Sequence, residues 1–353
     1  MGKVNNIQIL RGVAALCVVY FHTYFVFWNF RPFGRFGVHI FFAISGFIMA
    51  YICTSDSSEF FTRRLIRIVP PYWAMTILLF LAAIAFPNWM KTTTSNGIQL
   101  VKSLLFIPYT KSHNLMQPLL FLGWTLNYEM VFYAIIAVGL LLFRRFSPVG
   151  TVLLLAAFMG VWYSLRRFTD IGIFYSSPIM ITFALGIGVY YLYRAASVAF
   201  CRSVRPVALT IAPISFVLLI LVEGLQPRRY AGLEVTEFML CSCLLLISLT
   251  FLSKGGLDFG SKTLVLIGDA SYVLYLIHPY IEESLNRVLS HRVQWLSSKS
   301  VPGMMVCIAA STLIAVAMHL WLERPGIRLL SARFLPDRRA AKRQALEAKG
   351  SRS

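Results

Sequence analysis

An arginine and a histidine interrupt the first apolar run of the chain, ILRGVAALCVVYFHTYFVFW, from Ile9 to Trp28. Charged side chains are expensive inside a bilayer, by about 3 kcal/mol or more at its centre, so an ionisable residue in a spanning segment is a functional candidate by default. Arg11 and His22 lie eleven residues apart. On a helix that is about three turns, which puts both side chains on nearly the same face, roughly 16 Å apart along the axis. Arg11 offers a permanent cation for an anionic ligand. His22 ionises near neutrality, so it can take a proton as a general base or carry an acyl group transiently; the sequence leaves both routes open.

Four later stretches carry further chemistry. GVHIFFAISGFIMAY contains His39 and the pair Ser45-Gly46, whose small size suits close contact between membrane helices. FFTRRLIRIVPPYW holds Arg63, Arg64 and Arg67, which share one side of a helix at their three- and four-residue spacings. Guanidinium forks match phosphate oxygens, while the plainer reading is a positive-inside signal. Pro70-Pro71 is expected to end one helix there and begin the next. GWTLNYEMVFY supplies Trp124, Asn127 and Glu129. Trp124 fits an interfacial aromatic belt, whereas Glu129 needs a partner at that depth. It could orient His22 or His278 as a carboxylate orients a catalytic histidine. GDASYVLYLIHPYI brings Ser271, Tyr272, Tyr275 and His278, a hydroxyl-lined face that suits either sugar binding or interhelical hydrogen bonds. Glu323 and Arg324, ahead of Pro325, read as a helix cap or as a further charged pair.

The elements that must position these residues are membrane helices. Of 353 residues, 58% are hydrophobic and only 13% charged, and mean hydropathy is +0.70. Apolar runs near the spanning length of roughly 20 residues occur at 9–28, 36–53, 70–86, 119–143, 148–165, 173–193, 206–222, 235–252, 264–281 and 302–322. The fold class expected is therefore all-α, a polytopic bundle of about ten transmembrane helices. Gln99–Tyr109 is apolar but too short to span, so a re-entrant or surface segment is expected. The net charge of +19 includes nine basic residues from Arg324 onward. With no soluble fold to carry a basic patch, that charge points to membrane lipid and cytoplasmic retention, not to nucleic acid. Both termini are placed in the cytoplasm on this basis, with a basic tail at 326–353. The six cysteines form no CxxC pair, so neither a disulfide nor a metal site is inferred. In this orientation His22, His39, Glu129 and His278 sort to the outer half. Arg11, Arg63, Arg64, Arg67, Asp269, Glu323 and Arg324 sort to the inner side.

ILRGVAALCVVYFH, GVHIFFAISGF, RRLIRIVPPYW, GWTLNYEMVFY, SYVLYLIHP and LERP, in this order, resemble the membrane-bound acyltransferase-3 family, in particular its ExoZ-like and OafA-like exopolysaccharide-modifying O-acyltransferases. The resemblance covers nearly all of residues 7–325. It implies transfer of an acyl group, usually acetyl from cytoplasmic acetyl-CoA, to a sugar hydroxyl of an exopolysaccharide or envelope glycan. A glycan or lipid-linked sugar would be the acceptor, and polysaccharide-export machinery a further partner, in a bacterial inner membrane. It implies catalytic roles for Arg11, His22 and Glu129, and donor binding by Arg63, Arg64, Arg67 and Arg11. Acceptor contacts are then expected from His39, Trp124, Asn127, Tyr272 and His278. One departure stands out: His39 occupies a position where the family commonly has an acid. The competing reading is a transporter or exporter of an anionic or glycan substrate, whose pathway the same buried charges would line. Against it, no internal repeat of the transporter kind is visible. A structural scaffold in a polysaccharide-export complex is the third class.

Overall fold

The computed structural model describes residues 4–23, 25–26, 32–55, 59–87, 96–111, 116–225, 231–290 and 299–335. Fifteen α-helices follow one another: α1 (Asn5–His22), α2 (Gly37–Ser55), α3 (Phe60–Ala85), α4 (Gly97–Leu104), α5 (Trp124–Phe143), α6 (Pro148–Leu165), α7 (Asp170–Tyr175), α8 (Ile181–Ala195), α9 (Val198–Ser203), α10 (Arg205–Leu225), α11 (Ala231–Lys254), α12 (Lys262–Asp269), α13 (Ser271–Ser290), α14 (Val301–Met318) and α15 (Arg324–Phe334). Among the described residues there is no strand, only an isolated bridge between Thr110 and Met116.

Eight helical segments are long and apolar enough to cross a membrane, and the bent pair α12–α13 makes a ninth. Helix α1 is not among them, because Asn5, Asn6, Gln8 and Arg11 lower its hydropathy. It packs against α2, α11, α12, α13 and α14 instead. Helices, not lipid, surround it, so its polar side chains meet protein at membrane depth. With α1 counted, a helix or a bent helix pair stands at each of the ten expected runs, eight or nine of them long and apolar enough to span.

Several boundaries differ from the expectation, each for a local reason. The first helix ends at His22, with Thr23 as its C-cap, while Trp28 lies outside the described residues. Pro70 and Pro71 do not break the chain: α3 continues through both. Proline donates no backbone bond, and neighbouring side chains can compensate in a membrane bundle. The carbonyls left without a helical donor are those of Ile66 and Arg67, and α13 ties the helix one residue further on, where the Tyr272 hydroxyl donates to the Ile68 carbonyl at 2.8 Å. The sixth expected span divides at Pro178 into α7 and α8, joined by a short 3-10 turn. The ninth bends by 72° between α12 and α13. The tenth runs on through Glu323, which pairs with His319 at 2.6 Å within a π-turn, so Glu323 and Arg324 do not end the helix. Gln99–Tyr109 begins as the amphipathic α4, capped by Asn96 and tied to α3 by the Trp73 indole, which donates to the Leu104 carbonyl at 2.8 Å. Its exposed Ile98 and Val101 suit a helix lying at the interface. The expected basic tail is helical to Phe334, and residues 336–353 lie outside the described ones.

Two devices set the helices around α1. Asn6 is fully buried; its amide donates to the Leu249 and Leu257 carbonyls and its oxygen accepts from Phe259 N. Asp258 accepts from Asn5 and Asn6 N and so satisfies donors at the start of α1. At the other end, Glu223 of α10 accepts from Gly34 N at 2.7 Å and from the Arg35 amide and guanidinium at 3.1 and 2.9 Å. This carboxylate complements the N-terminal start of α2. The α2–α8 interface is a contact of backbones: a Cβ at Gly46 would collide with the Phe183 carbonyl, and one at Gly186 with the Ala43 carbonyl.

Overpacking of that interface is expected to destabilise. Gly46→Val should cost about 1–3 kcal/mol or more, seen as a lowered midpoint of thermal unfolding in detergent. Glu223→Gln should cost about 2 kcal/mol, the scale of a charged hydrogen bond lost, in the same measurement.

Candidate functional site

A cavity of about 100 Å3, partly open to its surroundings, lies among α1, α2, α3, α5 and α13. Its polar lining comes from Arg11, Ser45, Arg64, Arg67, Thr125, Glu129, Tyr133, Ser271, Tyr272 and Tyr275. Phe41, Phe42, Ile48, Met49, Ile68 and Leu126 form much of its apolar wall. The continuity of α3 through its prolines carries Arg64 and Arg67 to the cavity, one turn apart on one face. Arg63 is not part of the lining, and its buried Nε has no partner among the described residues. The three arginines expected to act together thus separate into a pair and an outlier.

Arg11 and Arg64 are buried, at 8% and 9% exposure. Arg11 donates to the Gln8 side chain on its own helix at 3.3 Å. Glu129, which the sequence would pair with His22 or His278, instead accepts from the Ser45 hydroxyl at 3.2 Å and from the Tyr133 hydroxyl, both at Oε1. The carboxylate that depth alone sorted to the outer group sits with the arginines. Three guanidinium groups and a single carboxylate line the cavity, an excess of positive charge suited to an anionic ligand. Ser271 adds a buried hydroxyl without a partner among the described residues.

One turn beyond Tyr275 on α13 is His278, fully buried. Its Nε2 lies 3.3 Å from His22 Nδ1, and the two rings stand at 61° with centroids 5.0 Å apart. Each Nδ1 also meets the carbonyl one turn back on its own helix, Val18 at 2.9 Å for His22 and Leu274 at 3.0 Å for His278. Between this pair and the arginines stand Thr125 and Tyr275, both in the cavity lining, with the Thr125 hydroxyl donating to the Tyr275 hydroxyl at 3.2 Å. Helices α1 and α13 therefore each reach both places.

The remaining candidates fall elsewhere. His39 is buried at the interface of α2 with α8 and α11, 3.2 Å from the Thr182 hydroxyl and against the Phe238 ring. It faces away from the cavity that its neighbours Val38, Phe41 and Phe42 line. Trp124 meets Tyr128 edge-on at 5.9 Å, and Tyr128 in turn stacks on Phe174 and donates to its carbonyl. Asn127 is buried with its Oδ1 unpartnered among the described residues. Sequence reasoning missed Tyr133, which a four-residue spacing from Glu129 could have flagged. It also read Ser45 with Gly46 as packing, whereas only Gly46 packs and Ser45 turns to the cavity.

The acyltransferase-3 family model, described as "Acyltransferase domain", matches residues 4–320. The chain is 33% identical over 312 residues to the exopolysaccharide production protein ExoZ of Rhizobium meliloti (strain 1021), covering 85% of this chain and 92% of that one. It is 25% identical to the peptidoglycan O-acetyltransferase OatA of Listeria monocytogenes, covering 91% of this chain and 55% of OatA. Nodulation protein 10 of Rhizobium leguminosarum bv. viciae is 28% identical over 47% of this chain and 52% of its own length. No solved structure matches. A family match spanning nearly the whole helical bundle, with the arginine-lined cavity inside it, places this chain in the acyltransferase-3 family of membrane acyltransferases.

Proposed function

We propose that this multi-pass membrane enzyme moves an acyl group, acetyl in the first instance, from an acyl-CoA to a sugar hydroxyl of an exopolysaccharide or cell-envelope glycan. The observation that carries the reading is the run of α1 and α13 from an arginine-lined cavity to a pair of histidines. The names of ExoZ and OatA supply the polysaccharide and O-acetyl parts. The basic C-terminal segment supports a cytoplasmic placement of both termini in a bacterial inner membrane.

Arg64, Arg67 and Arg11 hold the phosphates of the donor by charge-assisted hydrogen bonds. Glu129, ordered by Ser45 and Tyr133, holds those guanidinium groups in place. The thioester arm passes Thr125 and Tyr275 toward His22. Its imidazole removes the proton of the acceptor hydroxyl as the oxygen attacks the thioester carbonyl. A C–O bond forms, the C–S bond breaks, and the departing thiolate takes the proton back from the imidazolium. Acyl ester and free thiol are the products, and no proton is gained or lost.

His22→Ala, in protein that still inserts in the membrane, should lower glycan acylation by about 100-fold or more, the usual contribution of a general base. Wild-type activity there would overturn the assignment. Arg64→Ala and Arg67→Ala should each raise the KM for acyl-CoA about 10- to 100-fold, the equivalent of one charged hydrogen bond, with free thiol release by purified protein as the readout. An unchanged KM in both would remove the phosphate-binding role.

A further inference from the structure

The contacts of the two histidines settle which ring nitrogens carry hydrogen. A carbonyl oxygen only accepts, so the nitrogen facing it must donate. His22 Nδ1 faces Val18 O at 2.9 Å, and His278 Nδ1 faces Leu274 O at 3.0 Å. Both rings therefore carry hydrogen at Nδ1. In a neutral imidazole the other nitrogen then bears the lone pair. The lone pair of His278 Nε2 lies 3.3 Å from His22 Nδ1, so the His22 Nδ1–H is shared between a carbonyl and a second imidazole. A hydrogen at both facing nitrogens would set donor against donor, so this geometry requires His278 to be neutral.

His22 Nε2 remains as a lone pair with no hydrogen bond among the described residues. As it takes a proton, positive charge spreads over the ring and the Nδ1–H becomes a stronger donor. Two acceptors face it, the Val18 carbonyl at 2.9 Å and His278 Nε2 at 3.3 Å. The group the sequence offered for this task, Glu129, is occupied elsewhere, by Ser45 and Tyr133.

We infer that His278 is the positioning residue for the base: its Nε2 joins the Val18 carbonyl in accepting the Nδ1–H of His22, orients that ring from a second helix, and stabilises the imidazolium formed during transfer. This rests on the reading of His22 as the base. It gives a neutral imidazole the task that a carboxylate performs in the Ser-His-Asp arrangement.

The test compares His278→Phe, His278→Leu and His278→Gln, each normalised to correctly inserted protein of the full chain, with acetyl-CoA as donor and the acceptor glycan present. Burial in an apolar bundle alone would favour Phe or Leu over Gln. An acceptor role predicts the reverse, since the Gln amide oxygen can take the place of Nε2. The Phe and Leu proteins should lose about 100-fold in kcat with KM for both substrates within about twofold, and Gln should retain at least about tenfold more kcat than either. On a His22→Ala background, His278→Phe should cause no further loss, because the two side chains act as a unit. Wild-type kcat in the Phe or Leu protein, Gln no better than Phe, or a loss confined to KM would each overturn the inference. An active His22→Ala protein would instead remove the base assignment beneath it, while an inactive His22→Ala beside a fully active His278→Phe would remove only the role of His278.

Discussion

A helix carrying Asn6, Gln8 and Arg11 can occupy membrane depth only if other helices take the place of lipid around it. The rest of the bundle answers that requirement. Asn6 and Asp258 tie the start of α1 to the loop after α11. Gly12 and Gly268 allow α12 to lie against it, since a Cβ at Gly268 would collide with the Gln8 carbonyl. At its other end the chain returns through Gly34, whose φ of 132° is open to glycine and whose missing side chain leaves room for the Cys17 carbonyl. Glu223 then collects the amides of Gly34 and Arg35 and launches α2. With α1 enclosed in this way, Arg11 meets a cavity instead of hydrocarbon, and His22 meets His278.

Much of this was legible in hydropathy. The spans, their approximate limits and the family resemblance follow from apolar runs and from six motifs in order. The breaks were less legible, because the rules for breakers come from water-soluble helices. In a bundle, neighbouring helices can hold a helix that runs on through Pro70-Pro71, and a π-turn can absorb His319–Glu323. Conversely, the 72° bend between Asp269 and Ser271 falls at Gly268-Asp269-Ala270-Ser271, turn-forming residues that a hydropathy reading of the run 264–281 passes over.

The site was legible in its members more than in their pairing. Depth along a helix is a one-dimensional coordinate, and it sorted Glu129 and His39 with the histidines. Which face each presents is a second coordinate that the sequence does not carry for a helix apolar all round. Glu129 turns to Ser45 and the arginines, and His39 turns to Thr182. Arg63 and Arg64, adjacent in sequence, separate for the same reason. His22 and His278 meet across 256 positions of sequence, a contact that only the packing of α1 on α13 creates.

The resulting division of charge has a physical logic. Each ion brought to membrane depth must lose water, and an ion without a partner there is strongly disfavoured. Placing Glu129 in the cavity gives the lining arginines one carboxylate among them, while Asp269 and Glu323 attract Arg11 from outside the lining. A carboxylate beside His22 would have required a second buried anion with no cation near it. In the proposed mechanism a neutral imidazole meets the same need for an acceptor with no net charge in the resting state, and charge develops at His22 only while the proton is in transit. On that proposal, a histidine at position 39, where the family it resembles commonly has an acid, is tolerable. The acceptor for His22 comes from α13, and His39 is free to serve the contact of α2 with α8.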